Sequence, residues 1–111
     1  MQVLFEARGA EALALRGVAV RRTRFVLRRL QWLVPRARVH LEDINGPRGG
    51  VDKRCCIELQ RPSGEPLVVS ALASQWREAL DAALARAARA LLRWWQRHRG
   101  QPATARLVPP R

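Results

Sequence analysis

Two long stretches of this chain contain no acid. Residues 12–41 carry eight Arg, residues 82–111 carry seven, and neither stretch has an Asp or Glu. All nine acids lie elsewhere, against twenty Arg and one Lys, for a net charge of +12. Base composition can explain why Arg stands in place of Lys, but it does not explain why the excess charge is concentrated. Such a balance implies a polyanionic partner: nucleic acid first, an anionic membrane surface second.

Other scarcities exclude whole classes. The only cysteines, Cys55 and Cys56, are adjacent, which excludes a disulfide framework within one chain. A metal site would have to recruit His40 and His98, and no ligand spacing supports one. No cofactor motif is present, nor a phosphate loop or Ser-His-Asp arrangement, so no enzyme is expected. Cys55 or Cys56 with His40 imitates a thiol nucleophile only in composition. No apolar run approaches the ~20 residues a membrane helix needs. The start, MQVLFEARGAEA, is acidic early and does not read as a secretory signal. The expected location is the cytoplasm, with no membrane and no small-molecule substrate. The 48% hydrophobic content can fill one core, and 111 residues make one domain by length.

The hydrophobic pattern gives the element order. QVLFEA (residues 2–7) is strand-like. Ala19, Thr23, Val26, Leu30 and Leu33 recur at spacings of three and four, which predicts a helix from Val18 to Leu33, stopped by Pro35. RVHLEDI (38–44) and the segment from Cys55 to Gln60 alternate as half-buried strands. After the turn PSGEP, Leu67 to Ser70 form a further strand. Ser74 is the expected N-cap of a last helix running to about Arg99, with Trp76, Leu80, Leu84, Ala87 and Leu91 buried. The order β-α-β-β-β-α predicts an α+β, two-layer sandwich: a four-stranded sheet with two helices on one face. Residues 1–99 form the domain. Residues 100–111, with three Pro and two Arg, read as a flexible tail.

The candidate binding residues lie on the helices. Arg86, Arg89, Arg93 and Arg97, at spacings of three, four and four, form one stripe with no carboxylate one turn away. A solvated face and a phosphate-binding face are both consistent with that. On the first helix Arg21, Arg24 and Arg28 share a face, flanked by Arg22 and Arg29. Phe25 and Trp32 fall on the same outward side, either to stack on bases or to cover a neighbouring segment. Trp94 and Trp95 sit at the edges of the buried stripe, where they seal the core or, for Trp95, stack. With both helices on one sheet face, the two Arg rows are expected to form a single basic surface. A general basic nucleic-acid-binding protein satisfies these features as well as a more specialised one does.

The loop DINGPRGGVDKRC (residues 43–55) holds more than a tight turn needs. Asn45-Gly46, Pro47 and Gly49-Gly50 suit a strand connection. Asp43, Asp52 and Lys53 are expected to organise it through carboxylate-to-backbone bonds and an ion pair, with Arg48 at its tip. This loop, followed by CIEL, resembles the signature of single-domain members of the ribosome hibernation promoting factor family. These are also described as ribosome-associated inhibitor A, sigma-54 modulation or ribosomal subunit interface proteins. The resemblance spans about residues 2–99, with RRTRFVLRRL as first helix and SQWREALDAALARAARALLR as second.

The resemblance implies a fold similar to a double-stranded-RNA-binding domain. It implies binding to ribosomal RNA of the small subunit, in the cleft for messenger and transfer RNA, and silencing of idle ribosomes under stress. Arg21, Arg22, Arg28, Arg29, Arg86, Arg89, Arg93 and Arg97 match the family's basic helix positions, where Lys is more usual. Long members add a C-terminal dimerisation domain. This sequence has only loose residues at that end, so ribosome pairing through such a domain is not expected and the free protein is expected to be a monomer. Trp94-Trp95 and the proline-containing tail depart from the family's polar, Lys-rich end.

Overall fold

The computed structural model describes residues 1–45, 51–62 and 64–98. Strand β1 (Gln2–Ala7) is followed by a single-turn helix α1 (Ala10–Leu13) and helix α2 (Arg16–Val26). A 3₁₀ turn (Gln31–Leu33) then leads into β2 (Arg36–Asp43). Strands β3 (Lys53–Gln60) and β4 (Leu67–Ala73) precede the long helix α3 (Trp76–His98). The sheet order is β1-β2-β3-β4. β1 runs parallel to β2, because α1 and α2 carry the chain back across the sheet, and β2-β3-β4 form an antiparallel meander. The expected α+β sandwich and the antiparallel meander of the last three strands are observed.

Alternation decides which face is covered. Ala37, Val39 and Leu41 of β2, and Cys55, Ile57 and Leu59 of β3, are fully buried beneath the helices. Their neighbours Arg38, His40, Glu42, Arg54, Cys56 and Glu58 point to the other, open face. The register aligns the two strands so that buried meets buried, Val39 with Ile57 and Leu41 with Cys55. From above, α3 contributes Trp76, Ala79, Leu80, Ala83, Leu84, Ala87, Leu91 and Trp94. The predicted stripe is all there. Trp94 closes the end of the core at 3% exposure. Gln75, not Ser74, holds the N-cap place: its carbonyl accepts from the Ala79 N–H at 3.1 Å.

The first helix departs from expectation. Instead of running from Val18 to Leu33, it starts earlier, at Arg16, and stops at Val26. Leu27, Leu30 and Leu33 are spaced by three, which suits turns with i→i+3 bonds better than an α-helix. Those bonds are present: Leu30 N–H to the Leu27 carbonyl at 3.0 Å, Leu33 to Leu30 at 2.9 Å, and Val34 to Gln31 at 3.0 Å. Leu27 and Leu33 are thereby buried, while Val26 and Leu30 are only half-buried. Thr23 sits in the core with its hydroxyl donating to the Ala19 carbonyl at 2.7 Å, so its burial leaves no polar atom unpaired.

Candidate nucleic-acid interface

The outer side of α3 carries the exposed residues Arg86, Arg89, Arg93 and Arg97. At roughly 100° and ~1.5 Å per residue they occupy an arc of about 80° along about 16 Å. No ion pair to any of the four occurs among the described residues, and Arg86 alone is tethered. Its guanidinium donates to the backbone carbonyl of Ser70 on edge strand β4. The row therefore leans over the β4 edge. On the same wheel, Asp81 lies about 120° around from the centre of the row. It faces α2, where its Oδ1 meets Arg22 Nε at 2.5 Å.

The helix α2 row does not join that of α3. Arg22 is neutralised by Asp81. Arg24 points the other way, towards the β1 edge, and donates to the Met1 carbonyl at 3.0 Å. Arg28 and Arg29 lie beyond the end of α2, in the 3₁₀-like segment. Arg28 closes the helix: it donates to the Phe25 carbonyl at 2.8 Å, and its guanidinium carbon sits 4.2 Å from the Phe25 ring centre. A cation over the last carbonyls also complements the helix dipole. Arg29 is exposed. The single continuous wall of arginines expected from the sequence is thus divided. One part follows the outer flank of α3, one lies in the groove between α2 and α3, and Arg24 stands at the β1 edge.

The groove brings together Val18, Arg21, Arg22, Phe25 and Arg77. Arg77 was not singled out from the sequence. No local pattern marks it: it lies one turn before Asp81, on the side of α3 that packs against α2, and only that packing brings it into the groove. Arg21 lies back along its own helix over Gly17, where an added methyl would sit 3.1 Å from the guanidinium. Phe25 is 64% exposed, as expected of an outward aromatic. Trp32 is not outward. It packs edge-on against Trp95, ring centres 5.0 Å apart, and both are half-buried. Trp94 is stacked between chain segments, with His98 at 4.8 Å and the Arg61 guanidinium at 5.4 Å from its ring.

The loop residues form a compact polar knot at the β2–β3 end. Lys53 Nζ donates to Asp43 Oδ2 at 2.7 Å and lies 3.5 Å from Asp52 Oδ1. Asp43 Oδ1 accepts from the Asn45 N–H at 3.2 Å, and the Ile44 N–H donates to the Asp52 carbonyl at 2.9 Å. The hydrogen bond to Asp43, reinforced by the charges of Asp43 and Asp52 against partial desolvation, holds Lys53 protonated above its ordinary range. Asp52 is fully buried, and Lys53 Nζ also lies 5.2 Å from the Trp76 ring centre, which ties the knot to the start of α3. Gly46 and Arg48 lie outside the described residues, as does the tail from residue 99 onward.

This architecture recurs in known structures. The chain shares its fold with a ribosomal subunit interface protein. That protein, from Coxiella burnetii, superposes with a TM-score of 0.65 over 85% of this chain and 97% of its own, at 16% identity. The N-terminal domain of Protein Y from Thermus thermophilus superposes at 0.61 over 85% of this chain and 99% of its own, at 20% identity. No protein-family model matches the sequence, and no curated protein does. At these identities the likeness shows the fold, in which two helices cover one face of a four-stranded sheet. No group of three or more His, Cys, Asp or Glu able to hold a metal occurs among the described residues. No helix among them is long and apolar enough to cross a membrane.

Proposed function

We propose that the protein is a non-enzymatic, ribosome-associated translation inhibitor of the hibernation-factor kind, acting in the cytoplasm. It binds ribosomal RNA of the small subunit in the cleft for messenger and transfer RNA, and so silences idle ribosomes. The observation that carries this reading is the exposed row Arg86, Arg89, Arg93 and Arg97, free of ion pairs among the described residues, on a fold shared with a ribosomal subunit interface protein. The loop signature and the acid-free stretches support it.

The chemistry suits RNA backbone. Guanidinium groups contact phosphate in a forked geometry and stay charged at any relevant pH. Contacts of this kind read backbone and shape, as folded RNA requires. Arg21, Arg22, Arg24, Arg28 and Arg29 add separate basic patches: Arg21 and the Asp81-paired Arg22 in the groove between α2 and α3, Arg24 at the β1 edge, and Arg28 and Arg29 beyond the end of α2. Asp43, Asp52 and Lys53 shape the loop, whose Arg48 adds a further charge.

Co-sedimentation tests the reading. The full chain is spun with purified small subunits, whole ribosomes, duplex DNA and anionic vesicles, and added to a translation extract. Preference for the small subunit with loss of translation is expected. Equal binding to every polyanion would instead make it a general basic nucleic-acid-binding protein.

A further inference from the structure

We infer that the groove between α2 and α3 is a seat for one unpaired nucleotide, with the base on Phe25 and its phosphate between Arg21 and Arg77. The inference rests on the RNA-binding reading above and adds to it a base-dependent site that the α3 row does not provide.

Phe25 is the most exposed aromatic residue among the described residues, at 64%. The ring is nevertheless held in place. Arg28 lies over it at 4.2 Å while donating to the Phe25 carbonyl, so ring and guanidinium are fixed to the end of α2 as one unit. A pre-positioned ring loses little freedom on stacking. The groove it borders is otherwise cationic: Arg21, Arg22 and Arg77, with Val18 as apolar floor. Asp81 pairs with Arg22 at 2.5 Å and pins that side chain as a wall, and no ion pair to Arg21 or Arg77 occurs among the described residues. Two guanidiniums, Arg21 and Arg77, are left to attract an anion. Arg21 lines the groove, and its guanidinium lies back along α2 over Gly17, where no side chain stands in its way.

An aromatic platform beside two unneutralised guanidiniums matches a ligand with a flat π-face and an attached phosphate. A nucleotide in single-stranded RNA has both in one unit; a paired base hides its face, and an acidic peptide carries its π-faces and its charges on separate side chains. Base-on-aromatic stacking is sequence-tolerant, so the seat takes any unpaired base.

The test uses the full chain with three labelled probes at fixed salt: a single-stranded oligoadenylate, an abasic backbone of equal length, and an RNA duplex. Phe25→Ala is expected to weaken oligoadenylate binding about tenfold while leaving the abasic and duplex probes unchanged, and Phe25→Trp to restore it. Arg77→Ala is expected to lower the salt slope for oligoadenylate by about one. The proposal is overturned if Phe25→Ala weakens all three probes equally or none. It is also overturned if the Arg77 slope is unchanged, or if a Glu- and Tyr-rich peptide binds with the same dependence on Phe25. Co-sedimentation with small subunits separates this from the reading above. Phe25 dependence without subunit binding keeps the seat and ends the ribosome assignment. Subunit binding without Phe25 dependence does the reverse.

Discussion

The two faces of this protein use the same arginine-rich vocabulary to opposite ends. On the open face of the sheet, Arg38 Nε meets Glu6 Oε1 at 3.1 Å, Arg54 pairs with Glu42, and His40 Nε2 lies 3.7 Å from the same Glu42. Carboxylates alternate with guanidiniums across the strands, so the field there is largely cancelled. Along the outer flank of α3, Arg89, Arg93 and Arg97 meet no carboxylate among the described residues. Placement therefore matters more than number: a net charge of +12 is spread unevenly, and its focus is one helical flank and one groove.

The largest expected effect breaks this comparison directly. Replacing Arg86, Arg89 and Arg93 by Glu is expected to weaken RNA binding at least about a hundredfold at physiological salt, by loss of counterion-releasing contacts and by repulsion. Far-ultraviolet circular dichroism should be unchanged, since the side chains are exposed. The matched control, Arg36, Arg38 and Arg54 to Glu, removes the same charge from the open face. It should lower affinity only several-fold. If the two triples behave alike, overall charge and not the α3 flank governs binding.

The next effect concerns the strand that supplies both faces. Cys55 points into the core, and burial, with a smaller contribution from Cys56, pushes its thiol up to about 12. A folded-state pKa above the unfolded one gives stability that is intact below the ordinary thiol range and lost as pH rises through the folded value. The denaturation midpoint should therefore fall between about pH 9 and 12. Cys55→Ala should remove part of that fall, leaving the share due to Lys53, whose raised pKa acts in the same direction higher in the window. Near neutral pH, iodoacetamide should label the half-buried Cys56 of the native protein and reach Cys55 only on unfolding. Equal labelling of the two would contradict the assignment of faces.

The turn between β3 and β4 offers a smaller effect. Gly64 has a φ of 86°, so Gly64→Ala should destabilise by about 1 kcal/mol in urea unfolding without changing RNA affinity. Smallest is the exposed pair that crosses the helices. Asp81→Asn should cost less than about 1 kcal/mol of stability, because both partners are well solvated. It also frees Arg22, and RNA affinity should rise a few-fold. A fall in affinity would mean that Asp81 positions the groove and does not merely neutralise it.

How much of this was readable from the chain varies by element. Helix α3 was readable because 23 residues give six turns of periodic signal, and Trp76, Leu80, Leu84, Ala87 and Leu91 are all buried as that signal required. The end of α2 was not. Val26, Leu30 and Leu33 continue a helical period, yet spacings of three also fit 3₁₀ turns, and no Gly or Pro before Pro35 marks the break. That misplaced Arg28, Arg29 and Trp32 relative to the helix face. Arg77 was overlooked because its relevance depends on which side of α3 meets α2, which no local pattern records.

Local pattern was enough to specify the strands, the last helix and its buried face, and composition the excess of guanidinium over carboxylate; the short helix α1 and the early end of α2 were not specified by it. Pairing of those charges was settled by tertiary contacts. Arg22 with Asp81 is 59 positions apart and Arg54 with Glu42 is 12. Coulomb energy follows distance in space, so only the packing of α2 beside α3, over a four-stranded sheet, selects which arginines pair within the protein and which stay exposed without an ion pair among the described residues.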